Sequence, residues 1–301
     1  MRLLVLFYLL PLVVLATTSI SVGDDAPAGL TPPAGVLYEQ DVEYGKAGDV
    51  SLKLHLARPE KSAQPTPCIV VIHGGAWRGG DKAMHIPQIL EFAKSGYASV
   101  SVGYRFCPQH KFPAQIEDVK CAVRFLRANA AKYNLDPNRI GAIGFSAGAH
   151  LSLLLGVMDM DDGLEGGGGN PDQSSKVQAV VAYFGPTDLN ADDIPPVSTG
   201  LLIDFVGGPK KDTLEIRKKA SPITYVTKND APLLIFQGTK DSLVPHTQAT
   251  VMADAMTKAG APGRVELLIG ADHGWGGEEL KHTVEETQRF FARHLKHDPG
   301  R

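Results

Sequence analysis

Ile-Gly-Ala-Ile-Gly-Phe-Ser-Ala-Gly, at residues 140–148, is a short apolar run that leads directly into the pattern Gly-x-Ser-x-Gly. The run at 140–145 has the composition of a strand buried on both faces, and the residues after the serine predict a helix. A turn that exposes a serine between a strand and a helix needs neighbours without bulk, which Gly144 and Gly148 supply. Ser146 is therefore predicted at a helix N-terminus, where unpaired amides favour developing negative charge.

Apolar runs of the same kind recur along the chain, and helical patterns separate them. Further strands, also expected to be buried on both faces, are predicted at 68–72, 97–102, 177–184, 233–237 and 265–269. Apolar residues at helical spacing predict helices at 86–95, 114–133, 147–158, 247–259 and 278–295. The alternation of strands and helices indicates an α/β fold with a mainly parallel sheet and helices on both faces.

An alternating segment at 51–56 precedes these runs and differs from them. Its three leucines share one face, and Ser51, Lys53 and His55 share the other, which predicts a half-buried antiparallel strand at the start of the sheet. We expect one domain over residues 36–297. Within it, residues 185–230 are either a lid or a connecting segment with a buried face of its own. A run of four glycines, 166–169, predicts a flexible surface loop.

The composition is that of an ordinary globular protein, with 43% hydrophobic and 21% charged residues in a chain of 301. A formal net charge of −3 provides no field that would gather nucleic acid, so no nucleic-acid partner is expected. Three cysteines without a CxxC pair argue against a disulfide scaffold and against a metal site. For Cys107 and Cys121, a bridge and free buried thiols both remain open.

The first residues have the order charged, apolar, small that is expected of a secretory signal. Residues 1–21 are therefore predicted to be a signal peptide, and residues 22–35, rich in Pro, Gly, Ala and Asp, a flexible leader. The apolar run at 3–16 is shorter than the roughly 20 residues of a membrane-spanning helix, so no stable membrane anchor is expected. The prediction is an exported protein, either periplasmic or secreted.

A serine hydroxyl is a poor nucleophile until a base accepts its proton, and the chain offers ten histidines. His273 directly follows the last predicted strand, so it lies at the same edge of a parallel sheet as Ser146. His246 is the main rival, but it is placed at the start of a predicted helix, where a surface or capping role suffices. We therefore predict His273 as the base.

The histidine in turn needs an acid that fixes its tautomer and stabilises the imidazolium. Asp241 follows the strand predicted at 233–237, again at a carboxyl end. Asp272 is adjacent to the histidine in sequence, which is awkward for orienting that ring, and Asp230 precedes the strand, at the wrong edge of the sheet. The prediction is a triad of Ser146, Asp241 and His273.

Acyl transfer also requires amide donors that point at the oxyanion. The sequence His-Gly-Gly-Ala-Trp, which starts at His73, follows the strand at 68–72, so a glycine-rich loop leaves the sheet where such donors are needed. We assign the oxyanion hole to the backbone amides of Gly75, Ala76 and Ala147.

Four segments together resemble the α/β-hydrolase superfamily, in particular exported bacterial esterases related to hormone-sensitive-lipase-type carboxylesterases and to feruloyl and acetylxylan esterases. These segments are HGGAW from His73, YRFCPQHKFPAQIEDVK from Tyr104, GFSAGAH from Gly144, and the pair GTKDSLVP and DHGW. The chain order serine, aspartate, histidine is also that of α/β-hydrolases. Two positions depart from the related sequences, because Ala76 stands where one branch has a third glycine and Ala149 where many members have a second one.

The resemblance implies an α/β-hydrolase fold and a serine esterase that hydrolyses small or short-acyl carboxylic esters without a metal or organic cofactor. A small-molecule ester is then the expected partner. A feruloyl or acetylxylan esterase that acts on plant polysaccharide esters is the alternative within the enzyme class. A non-catalytic binding member of the fold is a further alternative, although such members usually lack a triad residue. Oligomeric state is left open.

Other conspicuous residues have both a functional and a structural interpretation. Trp77, Asp188 and Trp275 are predicted to line the substrate pocket, with burial in the core or a helix cap as the structural alternatives. His150, one helical turn after the serine, is expected to pack under the nucleophile turn rather than to act chemically. Glu117 and Asp118 are adjacent on a helix and point apart, so we expect them to hold neighbouring loops.

Overall fold

The computed structural model describes residues 31–296, so the predicted signal peptide and most of the predicted leader lie outside the described residues. Within that range, eight strands form one sheet in the order β1-β2-β4-β3-β5-β6-β7-β8. The strands are β1 Val36–Ala47, β2 Val50–Pro59, β3 Thr66–Ile72, β4 Ala98–Val102, β5 Leu135–Phe145, β6 Ala179–Tyr183, β7 Leu233–Gly238 and β8 Gly263–Leu268. β2 pairs antiparallel with β1 and with β4, and the other neighbouring pairs are parallel. The predicted sheet, parallel with an antiparallel start, is confirmed.

Eight helices lie on the two faces of this sheet in the described part of the chain. They are α1 Ile86–Lys94, α2 Ala114–Ala128, α3 Ala130–Tyr133, α4 Ala147–Val157, α5 Pro196–Val206, α6 Leu214–Ala220, α7 Thr247–Ala259 and α8 Gly277–Leu295. Apolar residues of α2, α4, α5 and α7 form one core layer with the sheet. The second layer, on the opposite face, is built on α1 and α8. Helices therefore cover both faces, as the alternation of elements predicts.

The strand predicted at 265–269 is not buried on both faces. β8 is the edge strand of the sheet, its residues are half-buried or exposed, and Ile269 beyond its end is 85% exposed. The reason is the position of α8, which packs against β5, β6 and β7 rather than over the edge. The central strands β3 and β6, by contrast, are buried along their whole length.

Two charged side chains of α2 are buried, although charged residues on a helix ordinarily face solvent. Lys120 and Arg124 of α2 are each 1% exposed, and both form ion pairs with Glu165 at 2.8 Å. Arg124 also donates to the backbone carbonyl of Gly169. The glycine run at 166–169 therefore lies at the surface, but buried cations of α2 tie both of its ends, which does not fit the predicted flexible loop.

His55 is also buried, although the alternation of β2 predicts it on the half-exposed face. It is 2% exposed, and burial lowers the pKa of its imidazole to about 4. Its Nδ1 accepts a hydrogen bond from the amide of Asp41, which lies in the bulge of the neighbouring strand β1. α1 packs against β2, and Ala57, on the same face of β2 as His55, shares a core layer with residues of α1. This cover is a tertiary feature that the local pattern of β2 does not contain.

The segment between β6 and β7 holds α5 and α6. α5 has a buried face of its own, formed by Leu202, Phe205 and Val206, so it is packed against the core as a connecting helix. All three cysteines are buried and unbridged, which leaves Cys107 and Cys121 as free thiols. In the range 31–296, no helix combines the length and the apolar character that crossing a bilayer requires.

Candidate active site

The predicted site residues meet at the carboxyl edge of the parallel strands. Ser146 follows β5, the glycine-rich loop follows β3, Asp241 follows β7, and His273 follows β8. Loops at the carboxyl ends of neighbouring parallel strands lie side by side, which is where open α/β sheets bind their ligands. The sheet order therefore brings together residues that are separated by up to two hundred positions in the chain.

A continuous chain of hydrogen bonds joins the serine, the histidine and the aspartate. The Oγ of Ser146 lies 2.9 Å from Nε2 of His273, and Nδ1 of the same ring lies 2.8 Å from Oδ2 of Asp241. A carboxylate only accepts, so Nδ1 carries the proton and Nε2 is the bare acceptor that faces the hydroxyl. This is the tautomer that a general base for the serine requires.

Asp241 is held by more hydrogen bonds than the one to the histidine. Its side chain is fully buried, and its Oδ1 accepts from the amides of Leu243 and Val244 at 2.9 and 2.8 Å. Its Oδ2 also accepts from Nε2 of Gln237 at 2.9 Å. Gln237 is the last side chain of β7 before the turn, and our sequence reasoning missed it. The available clue was an amide inside an otherwise apolar strand.

The nucleophile turn needs its two glycines because backbone passes directly over them. Ser146 itself has φ of 53° and ψ of −119°, a strained conformation for a residue with a side chain. A Cβ on Gly144 would overlap the carbonyl of Gly148, and a Cβ on Gly148 would overlap the carbonyl of Ile72 at the end of β3. The close approach of β3 and α4 sets the distance between the glycine-rich loop and the serine.

The amides predicted for the oxyanion hole face the same space as the serine. Gly75, Ala76 and Ala147 all line the cavity beside Ser146. Within residues 31–296, the hydrogen bonds of the structure include none donated by the amides of these three residues. The loop that carries two of them is tightly turned, since the carbonyl of Gly75 accepts from the amides of both Arg78 and Gly79. The donors are thus available to an oxygen of a bound molecule.

A cavity of about 480 Å³ adjoins the serine, within the range of small-molecule sites. Its walls are mainly apolar, and the side chains that form them include Phe145, Phe184, Leu201, Leu202, Leu243 and Val244. Of the predicted pocket residues, Trp77 and Asp188 line this cavity. Trp275 does not; it packs behind Phe184 with a ring distance of 5.2 Å, and Phe184 in turn contacts the ring of His273.

The rival acids and bases have other partners. Asp272 accepts from the side chain and the amide of Ser242, and so fixes the loop beside Asp241. Asp230 accepts from Thr227 in the turn before β7. His246 is exposed at the N-terminus of α7. These positions agree with the assignment of the acid and the base by strand end.

Glu117, Asp118 and Asp188 have local partners as well. Asp118 and Glu117 both form ion pairs with Arg105, at 2.7 and 3.5 Å, and so hold the loop after β4 as expected. Asp188 caps a turn rather than a helix, because its Oδ1 accepts from the amide of Asn190. Its second carboxylate oxygen remains available to the cavity that it lines.

The arrangement is suited to acyl transfer. A serine whose proton can pass to a neutral imidazole is a nucleophile, and a buried carboxylate stabilises the imidazolium that results. Amide donors beside the serine can stabilise the oxyanion of a tetrahedral intermediate. Fold and site together define an α/β-hydrolase, which confirms the fold that the four segments predict.

The BD-FAE family model matches residues 54–256, and the chain belongs to this family. Esterase LipQ of Mycobacterium tuberculosis is 34% identical over 73% of this chain. The solved truncated form of a carbohydrate esterase from gut microbiota is 30% identical, with a TM-score of 0.74, over 85% of this chain and 96% of the solved chain. The propionate-bound esterase Est2 of Thermogutta terrifontis is 29% identical, with a TM-score of 0.72, over 86% of this chain and 94% of its own. The chain spans 53% of the length of LipQ.

Proposed function

We propose that this protein hydrolyses carboxylic esters through a covalent acyl-serine intermediate. The observation that carries the proposal is the unbroken path from Asp241 through His273 to Ser146, which ends beside the free amides of the glycine-rich loop. The family membership and the esterase relatives support the same activity.

The reaction follows from the positions of the groups. The Oγ of Ser146 attacks the ester carbonyl carbon while Nε2 of His273 takes its proton, and the amides of Gly75, Ala76 and Ala147 stabilise the resulting oxyanion. Collapse of this intermediate breaks the bond to the alcohol, which leaves with the proton from Nε2. Water then attacks the acyl-serine by the same steps, and the carboxylic acid is released. No metal or organic cofactor takes part in the proposed cycle.

Small or short-acyl esters are the proposed substrates. The cavity of about 480 Å³ is bounded in part by α5, which contributes Leu201 and Leu202 to its lining. Propionate bound in the related Est2 is in keeping with a short acyl group. Replacing the half-buried Leu201 by Trp should narrow the cavity without opening the core. We expect the ratio of octanoate to acetate hydrolysis to fall by about tenfold, and an unchanged ratio would place the acyl chain elsewhere.

A polysaccharide ester is the second candidate, and two hydrogen-bond acceptors in the cavity favour it. His85 donates from Nδ1 to Gln88 at 3.0 Å, which leaves its Nε2 as an acceptor, and burial lowers the pKa of this imidazole to about 4. Gln248 holds Asp188 in place, because the Oε1 of Gln248 accepts a hydrogen bond from the backbone amide of Asp188. Two acceptors suit a sugar or phenol hydroxyl. The related gut esterase acts, by its description, on carbohydrate.

The proposed activity is tested by initial rates on p-nitrophenyl acetate, butyrate and octanoate, for the wild type and for Ser146→Ala. The matched control is Ser198→Ala, which removes another serine hydroxyl from the same cavity, one that donates to the carbonyl of Leu243. Turnover that is lost in Ser146→Ala and kept in Ser198→Ala supports the mechanism. Turnover that survives Ser146→Ala refutes it. Silence of the wild type on all esters would favour a binding protein.

The second candidate is tested with methyl p-coumarate and methyl cinnamate, which differ in one phenolic hydroxyl. If the acceptors of the cavity bind this hydroxyl, p-coumarate should be preferred by about tenfold, and Asp188→Ala or His85→Ala should remove the preference. Equal rates on the two esters would overturn the polysaccharide-ester candidate and leave short-acyl esters as the only proposed substrates.

We also propose that residues 1–21 are removed as a signal peptide and that the mature protein is periplasmic or secreted. The support is the order of charged, apolar and small residues at the N-terminus. Mass spectrometry of the protein from fractionated cells is the test. Mature chains that begin near residue 22 outside the cytoplasm are expected, and intact chains in the cytoplasm would overturn the assignment.

A further inference from the structure

The oxyanion donors come from two separate segments, so their spacing has to be held by something other than the motif itself. Gly75 and Ala76 belong to the loop after β3, and Ala147 begins α4 after β5. Donors that stabilise a transition state must keep their positions to within about 0.5 Å. The contacts between the loop and α4 therefore decide how well the three amides act together.

One side-chain hydrogen bond joins these two segments next to the serine. Nε1 of Trp77, the residue after Ala76, donates to Nδ1 of His150 at 3.2 Å. The backbone amide of His150 donates to the carbonyl of Ser146 at 3.0 Å. Nε2 of the same imidazole donates to the carbonyl of Ala220 at 2.7 Å, at the end of α6. His150 thus connects the nucleophile turn, the oxyanion loop and the core.

The loop needs such a connection because its backbone is strained. Ala76 and Trp77 have φ values of 52° and 57°, two consecutive left-handed residues that carry side chains. A residue of this kind costs on the order of 1 kcal/mol and persists only when its surroundings hold it. The indole of Trp77 is buried and stacks on the ring of Phe205, with 4.2 Å between the ring centroids. The backbone carbonyl of Trp77 accepts a hydrogen bond from the amide of Cys107.

The imidazole of His150 can accept from Trp77 only when it is neutral. It is fully buried among Trp77, Phe205 and the end of α6. Burial lowers the pKa of His150 to about 4, so the acceptor is present throughout the neutral pH range. Neither side chain touches the reacting atoms, which are reached only through the backbone of the loop and of α4.

We propose that Trp77 and His150 are positioning residues that hold the amides of Gly75 and Ala76 in register with the amide of Ala147. The inference rests on the proposed ester hydrolysis and assigns the support of its oxyanion hole. The hydrogen bond fixes the twist of the loop, while the stacking on Phe205 fixes its depth. Loss of the bond should therefore lower kcat and leave KM nearly unchanged, since the oxyanion amides stabilise the transition state rather than the bound substrate.

Two substitutions of His150 separate positioning from mere burial. In His150→Asn, the side-chain oxygen takes the place of Nδ1 and keeps an acceptor for Trp77. In His150→Gln, the amide nitrogen takes the place of Nε2 and keeps the donor to Ala220, but the acceptor is lost. Trp77→Phe removes the donor from the other side and retains the stacking on Phe205. His150→Gln and Trp77→Phe should therefore have the same effect on activity, and that effect should differ from the effect of His150→Asn.

The measurements are kcat and KM on p-nitrophenyl butyrate, the inhibition constant of butylboronic acid, and the melting temperature. The boronate forms a tetrahedral adduct with serine whose oxygen occupies an oxyanion hole. We expect kcat to fall about 10- to 100-fold in His150→Gln and Trp77→Phe, and the inhibition constant of the boronate to rise by a similar factor. His150→Asn should stay within about threefold of the wild type in both.

The outcomes distinguish the inference from the function on which it rests. Unchanged kcat and boronate affinity in His150→Gln and Trp77→Phe would overturn the inference. It would also be overturned if kcat fell equally in His150→Asn and His150→Gln and the fall followed the decrease in melting temperature. If His150→Gln does not fold, Trp77→Phe decides in the same way. A wild type without Ser146-dependent turnover would instead defeat the proposed function, and the inference with it.

Discussion

The buried imidazole of His150 makes the stability of this protein depend on pH. Burial lowers its pKa to about 4 in the folded chain, against about 6.5 in an unfolded one. Between these values the unfolded chain binds a proton that the folded chain does not bind. The free energy of unfolding contributed by this residue is therefore present above about pH 6.5 and is lost as the pH falls towards about 4.

The size of the effect follows from the two pKa values. Linkage between a folded pKa of about 4 and an unfolded pKa of about 6.5 gives a loss of about 2 kcal/mol on going from about pH 7 to about pH 5. His150→Asn has no titrating group at this position and loses nothing there. The advantage of the wild type over this variant should therefore shrink by about 2 kcal/mol over the same interval.

Urea unfolding of the wild type and His150→Asn at the two pH values measures this difference. With an m-value of about 3 kcal/mol per molar urea, the gap between the two midpoints should close by about 0.7 M at the lower pH. Ser198→Ala, which changes a cavity residue that does not titrate, should follow the wild type at both pH values. A gap between wild type and His150→Asn that is the same at both would refute a neutral, buried imidazole.

Two further substitutions test the site and the turn that presents it. Asp241→Asn should lower kcat by about 10⁴-fold with KM nearly unchanged, because the amide nitrogen faces His273 and favours the tautomer that cannot accept the serine proton. Steady-state kinetics on p-nitrophenyl butyrate measure this change. A loss of kcat below tenfold would contradict the role of Asp241. Gly148→Ala should abolish activity and lower the melting temperature by several degrees, since its Cβ overlaps the carbonyl of Ile72. Gly200→Ala, a helical position with open space around its Cβ, is the control and should be stabilising by about 0.5–1 kcal/mol.

The fold could be predicted because its strongest signals are local. The central strands are buried on both faces, so each has a continuous apolar sequence. Such a strand can be predicted from its own residues, without knowledge of the strands that it pairs with. The edge strand β8 has the same kind of run without the same burial, because its coverage depends on where α8 packs. Local pattern therefore specifies that a strand forms, whereas the depth of its burial depends on elements far along the chain.

The site residues could be located because each follows directly after a strand. Parallel strands place their carboxyl ends at one edge, so position in the chain translates into position in space for Ser146, Asp241 and His273. Lys120 and Arg124 show the limit of this reasoning. Charged residues on a helix are ordinarily assigned to solvent, and their burial depends on Glu165, a partner more than forty positions away that no local pattern connects to them.

The support of the oxyanion hole belongs to this second kind of feature. Trp77 and His150 each have an ordinary interpretation in the sequence, as a pocket wall and as a packing residue, because a hydrogen bond over 73 positions leaves no trace in either segment. The HGGAW loop locates two amide donors but does not explain how two left-handed residues stay in place. A chain with the same loop and the same nucleophile turn, but without an acceptor four residues after the serine, would have to hold its oxyanion donors by other contacts. Conversely, an acceptor at that position is a feature to search for wherever a tryptophan ends the glycine-rich loop.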